Sequence, residues 1–240
     1  MKNSAEEKNY AILKNFALSQ GAALFGVCRL TESLKEKTKE IPDKTLKELP
    51  LAISIGVRLS EKIIEDIEDH PTLLYLHHYR QANYLLDKIA FLLSNFIQQQ
   101  GYRALPVPAS QVIDWEKQKA HLSHKHVAEQ AGLGWIGKNN LLVTPHWGAR
   151  VRLVSILTDF PLKEDKKIKG GCGNCRNCLS VCPAGAIKEK KEEFNHLACF
   201  EQLKKFRKYG ISHYICGICV KACGGKTLFP ASNENKNPPD

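Results

Sequence analysis

The sequence predicts an α+β fold. Helical and extended patterns alternate in its first two thirds without a regular βαβ rhythm. Its 240 residues suit one to two domains with a sizeable buried core. Eight of its nine cysteines fall between positions 172 and 223, which sets the last third apart. The expected division is an α+β domain over 1–165, a cysteine-bearing domain over 166–229 and a disordered tail over 230–240.

Each element has a local reason. Ser4 is a helix cap followed by Glu6 and Glu7, and Ile12, Leu13, Phe16 and Ala17 recur at helical spacing up to Gly21. Ala22 to Val27 and Leu51 to Val57 read as buried strands. Residues 31–48 are charged and broken by Pro42, so they suit a loop with short helical pieces. Over 72–100, Leu85, Ile89, Leu92 and Phe96 share one face of a long amphipathic helix that stops at Gly101. Tyr102 to Val107 is a third strand, closed by prolines. Ser123 caps a helix running to Ala131. A glycine-rich loop follows over 132–138, then two β-rich runs, Asn140–Thr144 and Arg150–Leu157, expected to pair as a hairpin through Pro145 and Gly148. The charged stretch 161–171, ending in Gly-Gly, is the expected linker.

Hydrophobic residues make up 43% and charged residues 25%, which excludes global disorder. No stretch approaches the ~18 apolar residues that span a bilayer. The charged N-terminus lacks the apolar region of a signal peptide and a twin-arginine pair, so the expected location is cytoplasmic. Disulfides are disfavoured there, and the cysteines need another role. The net charge is +10, of which residues 1–160 carry +3 and residues 161–240 carry +7. Ordinary solubility accounts for such an excess, as does an anionic partner.

The run Cys172-x2-Cys175-x2-Cys178-x3-Cys182-Pro183 has the spacing of bacterial ferredoxins that bind [4Fe–4S] clusters. Three closely spaced thiolates curl around one cubane, and the fourth points to a second. Cys216-x2-Cys219-x3-Cys223, with Cys199 upstream, completes the arithmetic. The crossover rule assigns Cys172, Cys175, Cys178 and Cys223 to one cluster, and Cys182, Cys199, Cys216 and Cys219 to the other. Zinc prefers closed sets of separated CxxC pairs and fits this run poorly. Cys28 ends a buried strand and reads as a core residue. Clusters of this kind commonly work at low potential, which points to a reductive reaction.

The blocks CGNCRNCLSVCPAGAI, LACFEQL and YICGICVKAC, with the upstream AEQAGLGWIGKNNLLV and ILTDFPL, resemble epoxyqueuosine reductase. The helix with Tyr79, Arg80 and Asn83 leading into GYRALPVP adds to the likeness, which covers roughly residues 50–223. The resemblance implies a nitroreductase-like α/β sandwich followed by a ferredoxin-like double-cluster domain. It implies an oxidoreductase that passes cluster electrons to a base-off cobalamin, whose Co(I) state acts on substrate while a protein acid gives a proton. It also implies a low-potential electron donor of ferredoxin or flavodoxin type, tRNA as a partner, and no membrane.

Two departures bear on that reading. The family's acid is an Asp in a Val-Asp-Ser/Thr-Ala-Pro run, and here it falls on Gln118 or on Val107-Pro108. The chain also stops seventeen residues after Cys223, so it is expected to be a short form without the family's helical-repeat domain. Both argue against epoxyqueuosine and tRNA. The expected replacements for the acid are His124, His126 or Asp114, because imidazoles at the first turn of a helix are held acidic by its dipole. A polar surface turn explains the same histidines. The expected cofactor contacts are Gly132, Gly134, Trp135, Gly137 and Lys138, since glycines allow close backbone approach and Lys138 meets a phosphate or corrin amide. The basic run Lys204–Tyr209 suits phosphate and base contacts, or simply a solvated helix beside electronegative clusters. The alternatives to the reductase are a two-cluster electron-transfer protein and a non-exported enzyme like a reductive dehalogenase.

Overall fold

The computed structural model describes residues 2–116 and 118–225. The expected tail at 230–240 lies outside the described residues. The elements run α1 (Lys2–Ser19), β1 (Leu24–Arg29), α2 (Glu32–Lys35), α3 (Asp43–Glu48), β2 (Leu51–Arg58), α4 (Glu61–Glu65), α5 (Leu73–Gln99) and β3 (Ala104–Val107). They continue with α6 (His124–Gln130), β4 (Trp135–Ile136), β5 (Leu142–Val143), β6 (Val151–Thr158), α7 (Asn177–Ser180), α8 (His196–Lys205) and α9 (Ile218–Lys221).

Four strands form an antiparallel sheet in the order β1-β2-β6-β3. Period-two alternation sorts its side chains onto two faces. Ile53, Ile55, Val154 and Ile156 join Leu86, Ile89, Leu93 and Ile97 of α5 in one core. Ala52 and Leu157 join Leu122, Val127 and Ala128 around α6 in the other. Helices therefore cover both faces, and the chain is a mixed helix and sheet protein. Thr72 caps α5 by accepting a hydrogen bond from the Tyr75 amide at 3.0 Å.

The expected hairpin of the 140–144 and 150–157 runs does not form. β5 pairs with β4, and β6 enters the sheet between β2 and β3. The reason is burial: the second half of β6 is enclosed, so its backbone needs a partner on each side. What survives of the hairpin is a tight turn, in which Thr144 and Gly148 exchange backbone hydrogen bonds of 2.8 and 3.0 Å.

The expected linker is pinned rather than free. The Asp165 carboxylate accepts hydrogen bonds from the Tyr10 hydroxyl and the Val27 amide, both at 2.9 Å. The Asp165 amide donates to the Val27 carbonyl at 2.7 Å. Beyond it, Phe206, Ile211, Ile215, Ile218 and Val220 belong to the same core as Ile64, Ile67 and Tyr75. The cysteine-bearing segment thus packs directly on the helix–sheet region.

Ile156 is fully buried at the centre of this core. Ile156→Ala should cost about 2–5 kcal/mol, read from the midpoint of urea unfolding.

Candidate functional site

Three of the cysteines lie on short helices, and the end of α9 with Cys223 is held against the turn 144–150. Cys178 is on α7, Cys199 on α8 and Cys219 on α9, while Cys216 precedes α9 and Cys223 follows it. Gly148 takes a left-handed φ of 55°, and a Cβ there would overlap the Cys223 carbonyl. That close approach lets the Ala149 amide donate to the Cys223 carbonyl at 3.2 Å and the Arg150 guanidinium to the Lys221 carbonyl at 2.8 Å. Lys221 Nζ donates to the Ile67 carbonyl at 2.6 Å.

All nine cysteines are free thiols. Burial pushes the Cys178 thiol up to about 11, and the neighbouring Cys223, Cys172 and Cys175 add to it. Burial likewise raises Cys219, with Cys216, Cys199 and Cys182 adding to the shift and Cys178 after them. Cys216 rises to about 12, from burial and then from Cys199 and Cys182. Cys223, Cys172 and Cys175 thus lie near enough to Cys178, and Cys216, Cys199 and Cys182 near enough to Cys219, to act on its charge. Among the described residues, no three Cys, His, Asp or Glu side chains converge to hold a single ion. A cubane asks for something else, since each thiolate takes its own iron at a separate corner.

The glycine-rich loop faces this segment. A Cβ on Gly132 would overlap the Lys166 carbonyl, and one on Gly134 the Val143 carbonyl. These glycines admit the chain's own backbone. Trp135 is buried, with its ring against Gly170. Lys138 Nζ donates to the Cys175 carbonyl at 3.1 Å and pairs with Glu189 at 2.9 Å. Trp135, Lys138, Gly170, Cys172 and Lys191 border a cavity of about 360 Å³. Three buried N–H groups nearby have no partner: Trp135 Nε1, Asn139 Nδ2 and Arg150 Nε.

A second polar centre sits at one end of β6. The Arg152 guanidinium lies over the Tyr79 ring at 4.4 Å and donates to Asn83 Oδ1 at 3.0 Å. The Tyr79 and Ser110 hydroxyls are 3.0 Å apart. The His213 ring lies 6.2 Å from Tyr79, edge-on. Burial alone would raise the Tyr79 phenol, but the Arg152 charge and hydrogen bonds from Ser110 and Asn83 outweigh it, so Tyr79 lies below the ordinary tyrosine range. Trp115 and Phe200 both contact the Tyr214 ring, at 5.2 and 5.0 Å, beside this centre in sequence and space.

The three candidate acids are not brought together. Asp114 is held by Lys39 at 2.6 Å. His126 contacts Ser123 Oγ at 2.6 Å, and burial, then Lys37 and Lys125, bring it down to about 4. His124 Nε2 lies 2.9 Å from the Pro108 carbonyl, and Nδ1 lies 2.9 Å from Ser155 Oγ. A carbonyl only accepts, so Nε2 carries the proton and donates it, while Nδ1 accepts from Ser155. Burial brings His124 down to about 4 despite that bond, with Arg152 adding to the shift. His124 is therefore neutral, and it fixes the start of the 108–122 loop. In the basic run, Phe206 is buried, Lys204 pairs with Glu201 at 2.6 Å and Lys208 lies over the Tyr209 ring at 4.8 Å.

No family model matches the chain. A curated epoxyqueuosine reductase of Bacillus cereus is 33% identical over 127 residues, which are 50% of this chain and 33% of that protein. The chain resembles epoxyqueuosine reductase. It spans about a third of the length of the curated relatives it matches. Among solved structures, one of epoxyqueuosine reductase with a tRNA-Tyr epoxyqueuosine-modified stem loop gives a TM-score of 0.63 at 22% identity, covering 90% of this chain and 64% of that one. A reductive dehalogenase, from a structure addressing B12-dependent dehalogenation, gives 0.71 at 20% identity, covering 91% and 32%. These likenesses show the fold. Among the described residues, no helix is long and apolar enough to cross a membrane.

Sequence reasoning passed over Tyr79, Ser110 and Arg152 as a site. Arg152 sits in a strand that reads as core, and its pairing with α5 spans 69 residues in Arg152–Asn83. The available signal was an arginine in an otherwise apolar strand, which needs a buried partner.

His124 also makes a prediction about stability. Its folded pKa of about 4 lies below the ordinary 6.5. The unfolded chain therefore binds a proton that the folded chain refuses between those values, and stability falls as pH drops through that window. His124→Gln should flatten the decline between pH 6.5 and 4, measured by urea unfolding across that range.

Proposed function

We propose that the chain is an iron–sulfur oxidoreductase of the epoxyqueuosine-reductase type, with a nitroreductase-like helix–sheet domain and a ferredoxin-like double-cluster domain, divided near residue 165. The observation that carries the reading is the mutual influence of Cys178 with Cys172, Cys175 and Cys223, and of Cys219 with Cys182, Cys199 and Cys216, which supports two sets of four. The first set is Cys172, Cys175, Cys178 and Cys223, and the second is Cys182, Cys199, Cys216 and Cys219. Each set supplies the four thiolates that a [4Fe–4S] cluster needs. The residues fit that group in a second way. A buried N–H without an acceptor costs about 1–3 kcal/mol, and the three near the first set call for an acceptor such as sulfur.

Cobalamin is the cofactor that the resemblance suggests for the helix–sheet domain. A phenol, a hydroxyl, a guanidinium and an imidazole stand at the Tyr79 edge, and this donor set suits a ligand rich in carboxamides. Bound there, cobalamin would supply a strong reductant. The rest belongs to the chain. Tyr79 holds a transferable proton on Oη, and Arg152 stabilises the phenolate left behind. Asn83 fixes the guanidinium, and Ser110 orients the hydroxyl. His124 positions the 108–122 loop through Pro108 and stays neutral. Trp135 and Lys138 serve the first set of thiols, with Gly132, Gly134 and Gly137 letting the loop pack against the chain. A low-potential ferredoxin or flavodoxin is the proposed electron source, the cytoplasm the proposed location, and a tRNA-borne epoxyqueuosine the first substrate to try.

The test is anaerobic reconstitution with iron, sulfide and cobalamin, followed by assay on an epoxyqueuosine-modified tRNA stem loop. The expected result is two clusters, a base-off corrinoid absorbance and turnover. Clusters without a corrinoid signal would leave an electron carrier. Tyr79→Phe should lower turnover by about 10²–10⁴-fold with both cofactor signals intact. Unchanged turnover in that variant removes Tyr79 as the proton donor.

A further inference from the structure

Asn139 is 4% exposed, and its Nδ2 has no partner. Its orientation is fixed, because the Leu141 amide donates to Oδ1 at 3.2 Å and so leaves the NH₂ end free. The residue lies beside the first set of thiols. Asn139 Oδ1 and Cys172 Sγ are 2.9 and 3.4 Å from the position that a Cβ on Gly137 would occupy. Two more buried donors without partners frame the same set. Trp135 Nε1 is on the same loop, and the Trp135 ring borders the cavity that Cys172 also lines. Arg150 Nε belongs to the side chain that binds the Lys221 carbonyl, two residues before Cys223. The other buried atoms without partners among the described residues are the hydroxyls of Ser54 and Ser94. Among the described residues, no buried side-chain N–H without a partner is found on the segments that carry Cys182, Cys199, Cys216 and Cys219.

We propose that Asn139 is a positioning residue that donates a hydrogen bond to sulfur of the first cluster and holds its reduction potential above that of the second. The inference rests on the cluster assignment proposed above. Reduction adds an electron to the irons of the cluster, and part of its negative charge spreads to the sulfurs. An N–H aimed at sulfur stabilises that charge, so it favours the reduced state. Trp135 and Arg150 act in the same sense, and the Arg150 guanidinium adds a full positive charge. Among the described residues the buried side-chain donors without partners are one-sided, so the two cubanes differ although their ligands are the same. The first cluster accepts the first electron delivered to the protein.

The experiment is an anaerobic redox titration of the reconstituted full chain, followed by electron paramagnetic resonance, with iron and sulfide analysis on each sample. The wild type should show two [4Fe–4S] signals with separate midpoints. Absence of clusters there overturns the functional reading itself. With both clusters present, Asn139→Leu should shift the higher midpoint downward and leave the lower one in place. Trp135→Phe removes one N–H while keeping a ring against Gly170, and should shift the same midpoint. It decides the matter alone if Asn139→Leu does not load fully. Unchanged midpoints, or equal movement of both, overturn the proposal.

Discussion

The contact between Gly148 and the Cys223 carbonyl is the constraint on which the rest depends. Cys223 lies far along the chain from Cys172, and the proposed first cluster needs both at once. The turn 144–150 supplies the meeting point. Its backbone approaches the end of α9 closely because position 148 has no side chain. The Ala149 and Arg150 bonds then fix the approach. The same turn leads into β6, whose first residues include Arg152. One short piece of chain therefore sets both the closure of the first thiol set and the placement of the guanidinium over Tyr79.

Burial has opposite consequences at the two centres. At Cys178, Cys216 and Cys219 it is the largest cause of the upward shift, and the neighbouring thiols add to it. Such thiols ionise when a cation binds, so metal loading and ordering of the segment are coupled. At Tyr79 the same desolvation is outweighed by a single charge at 4.4 Å and by two hydrogen bonds. A fixed guanidinium in a poorly screened setting acts far more strongly than one in water. The net result is a phenol readier to release its proton, next to thiols less ready to release theirs.

The long elements were legible because their patterns are local. The α5 face of Leu85, Ile89 and Phe96, and the unbroken apolar run of β2, each settle their own type. The cysteine spacing reads as a cluster pattern for the same reason, since ligands of one cubane sit at short fixed intervals, and the ligand role itself stays a proposal. The placement of β6 was not, because the choice between pairing with 140–144 and entering the sheet is made by burial on both sides. The role of the glycines was also hidden. A glycine that admits a ligand and one that admits the Val143 or Lys166 carbonyl look alike in sequence. The histidines were legible only in part. A first-turn imidazole with a lowered pKa is readable in the sequence, but not that His124 lies between Ser155 and Pro108 with its proton donated to the Pro108 carbonyl.

The proton donor proposed for this chain, Tyr79, stands on a different kind of support from a loop acid at Pro108 or Gln118. A loop carboxylate is placed by a flexible segment, and its geometry varies with the loop. Tyr79 is placed by α5, whose Leu86, Ile89, Leu93 and Ile97 are fully buried against the sheet. Its partner Arg152 belongs to β6, which pairs with β2 over its whole length and with β3 from Ser155 to Thr158. Donor and stabiliser are thus fixed by two rigid elements, and Asn83, one helical turn from Tyr79, ties them together. Preorganisation of this sort is what electrostatic stabilisation of a departing proton requires, since the charge must already be in place when the phenolate forms. The loop from 108 is then released from chemistry. It keeps the task of orienting the Tyr79 hydroxyl through Ser110, which a backbone held at Pro108 by a neutral His124 can perform at any pH above about 4.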